Sequence, residues 1–386
     1  MRKVAVVFGG KSCENEISVL TGVFVLKLLE HSIFEPVPVY IHTDGKMYYS
    51  PKMKELDAFR SSKVTGFEQV FIDGGALYAM NAAKRKIRLI VKLDAALNCC
   101  HGGLGEGGGV SAIMQWNGVP LASPELTASG VFMDKGLTKL VARALGVPTL
   151  DHIRVNERDY ERRGAFLLKS IERRLKYPVV IKPAHLGSSI GISVAHNAEE
   201  AKRGIEGAFA LDDRVIIEKY LAEKTDVNCA AYALRGEIFV SEPETAFGDG
   251  IYSFEEKYLK RTSDGVQGKT REPQRRARGK GVLPSTAVNE GGRSALSPEL
   301  RARIRGFTRT VYKRMDLQGV VRMDFLVSGE QAYLCEVNTV PGSLAYYLFC
   351  ERITDAREFF CSLIEDTIER GVGGKEIVTT GILGGV

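Results

Sequence analysis

The chain has 386 residues, 44% of them hydrophobic, which is enough for an ordinary core but more than one compact domain usually holds, so two or three domains are expected. Its net charge of +6 is a small difference between 53 basic and 47 acidic residues, which argues against nucleic acid or a membrane surface as a partner. Seven scattered cysteines cannot all pair and point to a reducing, cytoplasmic setting, and no apolar run is long enough to cross a bilayer, so a soluble protein is expected.

Residues 4–8 form a continuous apolar run ending at Gly9 and Gly10, the pattern of a parallel strand buried on both faces; residues 1–10 are too short and strand-like for a signal peptide. Ile17, Leu20, Phe24 and Leu28 recur at helical spacing, and residues 37–41 supply a second strand before the Asp44-Gly45 turn. This β-α-β order favours a doubly wound parallel sheet. A further strand near residues 93–99 runs into the glycine-rich segment 101–109, which opens with His101, and a helix follows from Val110. Ligands bind at such strand-to-helix crossings. A helix from about Ser129 leads to Gly146-Val147-Pro148, beyond which the pattern changes to paired strands at 177–182 and 190–194. Residues 215–218 read as a strand, 300–315 as a helix, and 319–324 with 333–337 as a hairpin around Ser328-Gly329-Glu330. Residues 260–280 carry eight Lys and Arg against Asp264 and Glu272, with the Gly, Pro and Gln content of a mobile loop.

Three segments carry chemistry. In the hairpin, a turn near Glu330 sets Asp324 opposite Glu336 and Arg322 opposite Asn338, and period-two alternation projects all four from one face. Two carboxylates and an amide oxygen there suit Mg²⁺ beside nucleotide phosphates, and Arg322 is placed to hold a developing anion. The wet face of a half-exposed hairpin would look the same, but the glycine turn at Pro341-Gly342 brings backbone N–H groups to the same site. In the second segment, Lys182 ends an apolar strand and precedes Gly187-Ser188-Ser189, a loop suited to covering phosphates, although an ordinary hairpin turn fits as well. It is not a P-loop, because the lysine comes before the loop. The third, Glu218-Lys219-Tyr220-Leu221, ends a strand where backbone hydrogen bonds could hold an adenine; an ordinary surface strand end is the commoner role.

Taken in order, these segments resemble the ATP-grasp fold, and Glu14-Asn15-Glu16-Ile17-Ser18 shortly after Gly9-Gly10 resembles the N-terminal signature of the D-alanine:D-alanine ligase family. The resemblance covers most of the chain. It implies an α/β (α+β) protein with a doubly wound N-terminal substrate domain (1–133), a central lid domain (134–217) and a C-terminal catalytic domain (218–386). It implies acyl-phosphate formation from ATP and a first D-alanine, attack by the amine of a second, a pair of Mg²⁺ or Mn²⁺ ions, and a homodimer. By the same resemblance Glu14 anchors the first ammonium with His101 beside it, and Ser188 couples Glu14 to Tyr258. Lys135, Lys182 and Lys257 match phosphate-contacting lysines. Glu218, Lys219 and Leu221 match the adenine strand, and Asp226 stands for the ribose-binding acid. Asp324, Glu336 and Asn338 match the metal ligands, while Arg322 and the backbone at Gly342 match the groups around the tetrahedral intermediate.

Several positions depart from the family pattern. Gly107, Ser111 and Gln115 replace polar or acidic residues of the substrate domain. Tyr347, followed by Leu348, stands where the family places a small hydroxyl residue for the second substrate's carboxylate. Either the Tyr347 hydroxyl takes over that role or the acceptor differs from D-alanine. The presence of Tyr258 favours an amine acceptor. An ATP-grasp ligase for other amino acids and a non-catalytic nucleotide-binding protein are the rivals. A dinucleotide-dependent oxidoreductase lacks its Gly-x-Gly-x-x-Gly fingerprint, and Cys99-Cys100-His101 lacks a second pair at zinc spacing.

Overall fold

The computed structural model describes residues 1–61, 64–245 and 296–373. Lys257, Tyr258 and the basic segment 260–280 lie outside them.

Strand β1 (Arg2–Gly9) leads into α1 (Asn15–Leu29) and returns as β2 (Phe34–Ile41). The chain then runs antiparallel through β3 (Met47–Tyr49), β4 (Glu68–Asp73), β5 (Ala76–Asn81) and β6 (Lys86–Lys92) before β7 (Ala95–Asn98) settles beside β1. The sheet order is β6-β5-β4-β3-β2-β1-β7, parallel across β2, β1 and β7 and antiparallel elsewhere. The parallel β-α-β unit read from the sequence is therefore the core of a mixed sheet. Its antiparallel part follows from tight turns, such as Gly74-Gly75, where both residues have positive φ and close a two-residue hairpin.

The two faces of β1 are both covered. Val4, Val6 and Phe8 pack in one cluster with α1, while Ala5 and Val7 join Val110 and Met114 of α2 (Val110–Trp116) on the other face. Of the predicted α1 stripe, Leu28 is buried while Ile17, Leu20 and Phe24 are only half-buried, and the deepest apolar residues are Val25, Leu26 and Leu29. The helix is apolar almost all round because it lies between the sheet and C-terminal residues, with the Phe24 ring 5.2 Å from that of Tyr346.

After α3 (Leu126–Met133) and α4 (Lys135–Ala144) comes a second sheet. It is built from β8 (His152–Asn156), β9 (Val179–Pro183), β10 (Ser193–Ala195) and β11 (Arg214–Lys219), with α5 (Glu157–Arg174) and α6 (Ala198–Phe209) on one face. The third sheet holds β12 (Thr225–Leu234), β13 (Glu237–Val240), β14 (Glu244–Thr245), β15 (Val321–Ser328) and β16 (Gln331–Asn338). On its inner face Val227, Cys229, Met323 and Phe325 pack under α7 (Pro298–Arg314), leaving Asp226, Asn228, Arg322 and Asp324 on the opposite face. Last, α8 (Ile353–Arg370) returns to the first domain, where Phe360 and Ile364 enter the cluster of Val6 and Phe8. Among the described residues no helix is long and apolar enough to cross a membrane.

Candidate active site

The β15–β16 hairpin has the expected register: Arg322 pairs with Asn338 and Asp324 with Glu336. Beyond that point Phe325 pairs with Leu334, so Cys335 is an extra residue, a β-bulge that alternation cannot reveal. The Arg322 guanidinium grips Asp324 with two parallel hydrogen bonds, 2.8 and 2.9 Å, and its remaining arm donates to the Tyr347 hydroxyl at 3.3 Å. The Asn338 amide also donates to Asp324, at 3.1 Å. Burial raises the Asp324 pKa against the opposing pull of Arg322, and the Glu336 charge adds to the rise. Two crowded carboxylates beside an amide oxygen offer hard-oxygen donors whose mutual repulsion a divalent cation would relieve.

Three lysines converge on this face. Lys182 at the end of β9 and Lys139 of α4 take opposite oxygens of Glu218, each at 2.6 Å. Burial alone would raise the Glu218 pKa, but the two ammonium groups outweigh it and hold the carboxyl well below its ordinary value. The Lys182 ammonium lies 3.7 Å from the Cys335 sulfur. Lys135, at the start of α4, donates to the Leu186 carbonyl at 2.6 Å and stands 3.5 Å from Glu336. An excess of cations over anions on this face is suited to a polyphosphate.

The glycine loop after β9 reaches the first domain. Ser188, held at positive φ, donates to the Glu14 carboxylate. The loop can approach so closely because Gly187 has no side chain: a Cβ there would lie 2.8 Å from one Glu14 oxygen. Gly102 closes the other side, where a Cβ would lie 2.6 Å from the same oxygen.

Both ring nitrogens of His101 are engaged, Nδ1 2.7 Å from the Val340 carbonyl and Nε2 2.8 Å from the Thr21 hydroxyl. Burial pushes its pKa down to about 4, although the bond to Val340 opposes the fall, so the ring is neutral at pH 7. It ties the glycine-rich segment to the turn that holds Gly342. Glu106 makes the parallel tie, accepting from the Gly102 N–H at 2.8 Å and the Val340 N–H at 3.2 Å. Its pKa is raised to about 7, mainly by burial, with the Glu14 and Glu336 charges adding. Past Gly342, Ser343, Leu344 and Ala345 all adopt left-handed φ near 50°, a strained run that swings Tyr347 towards Arg322. Leu348 packs against the neighbouring apolar cluster.

The structure thus brings together Glu14, Ser188, Lys135, Lys182, Glu218, Arg322, Asp324, Glu336, Asn338 and Tyr347. Asp226 shares the polar face of the third sheet and pairs with Lys224 at 2.6 Å. Lys219 is exposed at the end of β11, and Leu221 lines a recess with Tyr220 and Lys224. Of the departures, Ser111 is buried and donates to the Pro124 carbonyl at 2.8 Å, and Gln115 is exposed. Sequence reasoning passed over Lys139 and Glu106. Lys139 had one signal, its position four residues after Lys135 on the same face of α4. Glu106 was marked by its place among six glycines between 102 and 109, a segment whose backbone can approach a ligand but whose single acid needs a partner.

Comparison with known proteins agrees with this geometry. A model of the D-ala D-ala ligase N-terminus matches residues 3–124, and one of the D-ala D-ala ligase C-terminus matches 141–277 and 290–380. A D-alanine--D-alanine ligase of Clostridium novyi is 29% identical, with 96% of this chain and 98% of that one covered. Another, from Chlorobaculum parvum, is 31% identical over 88% of each chain. The crystal structure of the Helicobacter pylori D-alanine-D-alanine ligase superposes with a TM-score of 0.72 at 22% identity, covering 95% of this chain and 98% of that one. The three sheets are therefore those of an ATP-grasp fold, and the chain belongs to the D-alanine–D-alanine ligase family.

Proposed function

We propose that this protein is an ATP-dependent ligase that activates the carboxylate of one D-alanine as an acyl phosphate and joins it to the amine of a second, supplying the dipeptide for peptidoglycan precursors. The observation that carries the reading is the meeting of Glu14 with the 187–188 loop, whose stem holds Lys135 and Lys182 beside Glu336 and Glu218. An ammonium-binding carboxylate and a phosphate-binding cluster then face one reaction centre.

In this reading Glu14, oriented by Ser188, holds the first ammonium, and the neutral His101 keeps the 101–109 segment against the turn at Gly342. Lys135 and Lys182, with Lys257, take the phosphates, while Glu218, Lys219, Leu221 and Asp226 border the adenosine. Asp324, Glu336 and Asn338 hold two Mg²⁺ or Mn²⁺ ions, which neutralise phosphate charge when bound. Arg322 and the Gly342 backbone stabilise the oxyanion formed when the amine adds to the acyl phosphate. Attack forms the C–N bond and expels phosphate, and the amine's proton leaves to a neighbouring base or to water. Residues 1–133, 134–217 and 218–386 act as substrate, lid and catalytic bodies of a cytoplasmic homodimer.

The test is phosphate release from ATP and Mg²⁺ with D-alanine, L-alanine, D-serine, D-lactate or no substrate, with mass spectrometry of the products. Turnover confined to D-alanine and yielding the dipeptide is expected. Release only with another pair would keep the mechanism and change the acceptor, a second reading opened by Tyr347 standing where the family places a small hydroxyl residue. No release at all would overturn the ligase.

A further inference from the structure

His185 lies in the stem of the glycine loop and is not among the groups assigned above. Its backbone N–H donates to one oxygen of Asp212 at 2.7 Å, and its Nδ1 meets the other at 2.8 Å. Its Nε2 faces a second carboxylate, Asp134, at 3.5 Å. A ring with both nitrogens on carboxylates satisfies both as the doubly protonated cation.

The two acids are themselves fixed. Asp134 is buried, caps α4 through the Gly136 and Leu137 N–H groups, and takes Arg154 at 2.6 Å with Arg214 at 3.5 Å. Asp212 also accepts from the Arg214 N–H, and Asp213 stands beside it. The residues flanking His185 are tied to the same place. The Lys135 N–H donates to the Ala184 carbonyl at 3.0 Å, and the Lys135 ammonium donates to the Leu186 carbonyl at 2.6 Å. One residue further on begins the close approach to Glu14.

We infer that His185 is a positioning residue: as an imidazolium bridging Asp134 and Asp212, it sets the 186–188 loop against the Lys135 ammonium and so tunes the binding of the nucleotide's phosphates. The inference rests on the ATP-grasp reading of that loop but not on the identity of the amino acids joined. Its charge state follows from its partners. The bonds to Asp134 and Asp212 outweigh burial and raise the ring's pKa to about 9, while the guanidinium groups of Arg154 and Arg214 are both spent on Asp134. The raised value means that the clamp is complete at neutral pH and is lost as the pH rises through about 9.

The experiment is calorimetric binding of ATP with Mg²⁺ to the full chain, without amino acid, from about pH 7 to 10, for the parent, His185→Gln and His185→Arg, with D-alanine turnover measured in parallel. The parent is expected to lose about tenfold in affinity across that range, and His185→Gln to bind about tenfold more weakly at pH 7 with a flat profile. His185→Arg, a permanent cation with two donors, should bind as the parent does at pH 7 and keep its affinity at pH 10. Equal affinities and parallel pH profiles in all three proteins would overturn the inference while leaving the ligase intact. Absent D-alanine turnover with the predicted binding pattern would overturn D-alanine as the substrate and leave His185 in its role. If His185→Gln does not fold, the contrast between the parent and His185→Arg at pH 10 decides.

Discussion

The Lys139 ammonium lies 2.6 Å from the Glu218 carboxylate, and both side chains are withdrawn from water, at 1% and 2% exposure. Lys182 holds the second oxygen, so a single buried acid balances two cations and the cluster carries net positive charge. Removing Lys139 leaves Glu218 paired with Lys182 but strips one buried carboxylate oxygen of its charged donor. Lys139→Met is therefore expected to lower stability by about 1–3 kcal/mol, read as a drop in the urea midpoint with an unchanged slope. A loss below about 1 kcal/mol would mean that the contact is solvated in solution.

Gly187 separates the loop's shape from its clearance. Its φ lies outside the left-handed region, so alanine strains no backbone, yet the added carbon would press on both oxygens of Glu14, at 2.8 and 3.0 Å. Gly187→Ala should fold with parent-like stability and bind ATP, while kcat/KM for D-alanine falls about 10²-fold. Steady-state kinetics with D-alanine varied at saturating ATP reads this, and unchanged kinetics would place the substrate ammonium elsewhere.

His101 and Glu106 tie the same turn to the same glycine-rich segment but respond to pH with opposite sign. His101, lowered to about 4, contributes stability that is complete above about 6.5 and is lost as the pH falls towards 4. Glu106, raised to about 7, contributes stability that is complete below about 4.5 and is lost as the pH rises towards 7. Their slopes offset each other in the parent between about pH 4.5 and 6.5. Glu106→Gln should unmask a melting temperature that climbs with pH across that window, and His101→Gln one that declines. Melting curves of the three proteins from about pH 4 to 8 test this, and parallel profiles would show that neither group titrates with folding.

The shared face of the hairpin was legible because Arg322 and Asp324 on one strand and Glu336 and Asn338 on the other each stand two residues apart, although the two-residue turn at Gly329-Glu330 by itself would set Asp324 opposite Cys335. The bulge at Cys335 was not, since an extra residue leaves no mark in the alternation of a short strand. In the first domain the buried β1 run announced itself, whereas β6 carries Lys86, Arg88 and Lys92 and exposes Ile87 and Leu89, so an edge strand reads as a charged loop. The lysines of α4 looked alike as letters. Only the fold shows Lys139 turned inwards to Glu218 and Lys135 placed between the Leu186 carbonyl and Glu336. The contact of Glu14 with Ser188 spans 174 residues of sequence, and only the family resemblance could suggest it.

Arg322 spends two of its arms on Asp324 and points the third at the Tyr347 hydroxyl. Lysine at this position keeps the charge but not the planar fork, so it cannot hold Asp324 and face an oxyanion at once. Arg322→Lys is expected to lower kcat by about 10²–10³-fold with little change in KM for ATP, the pattern of an interaction made in the transition state. Tyr347→Phe separates the two duties left open by the sequence. If the phenol only braces Arg322, kcat falls for every acceptor alike; if it binds the acceptor's carboxylate, KM for the acceptor rises and kcat holds. The 3.3 Å contact and the strained run that delivers Tyr347 to it favour bracing, so a uniform loss in kcat is the expected result, and a selective rise in acceptor KM would assign Tyr347 to specificity.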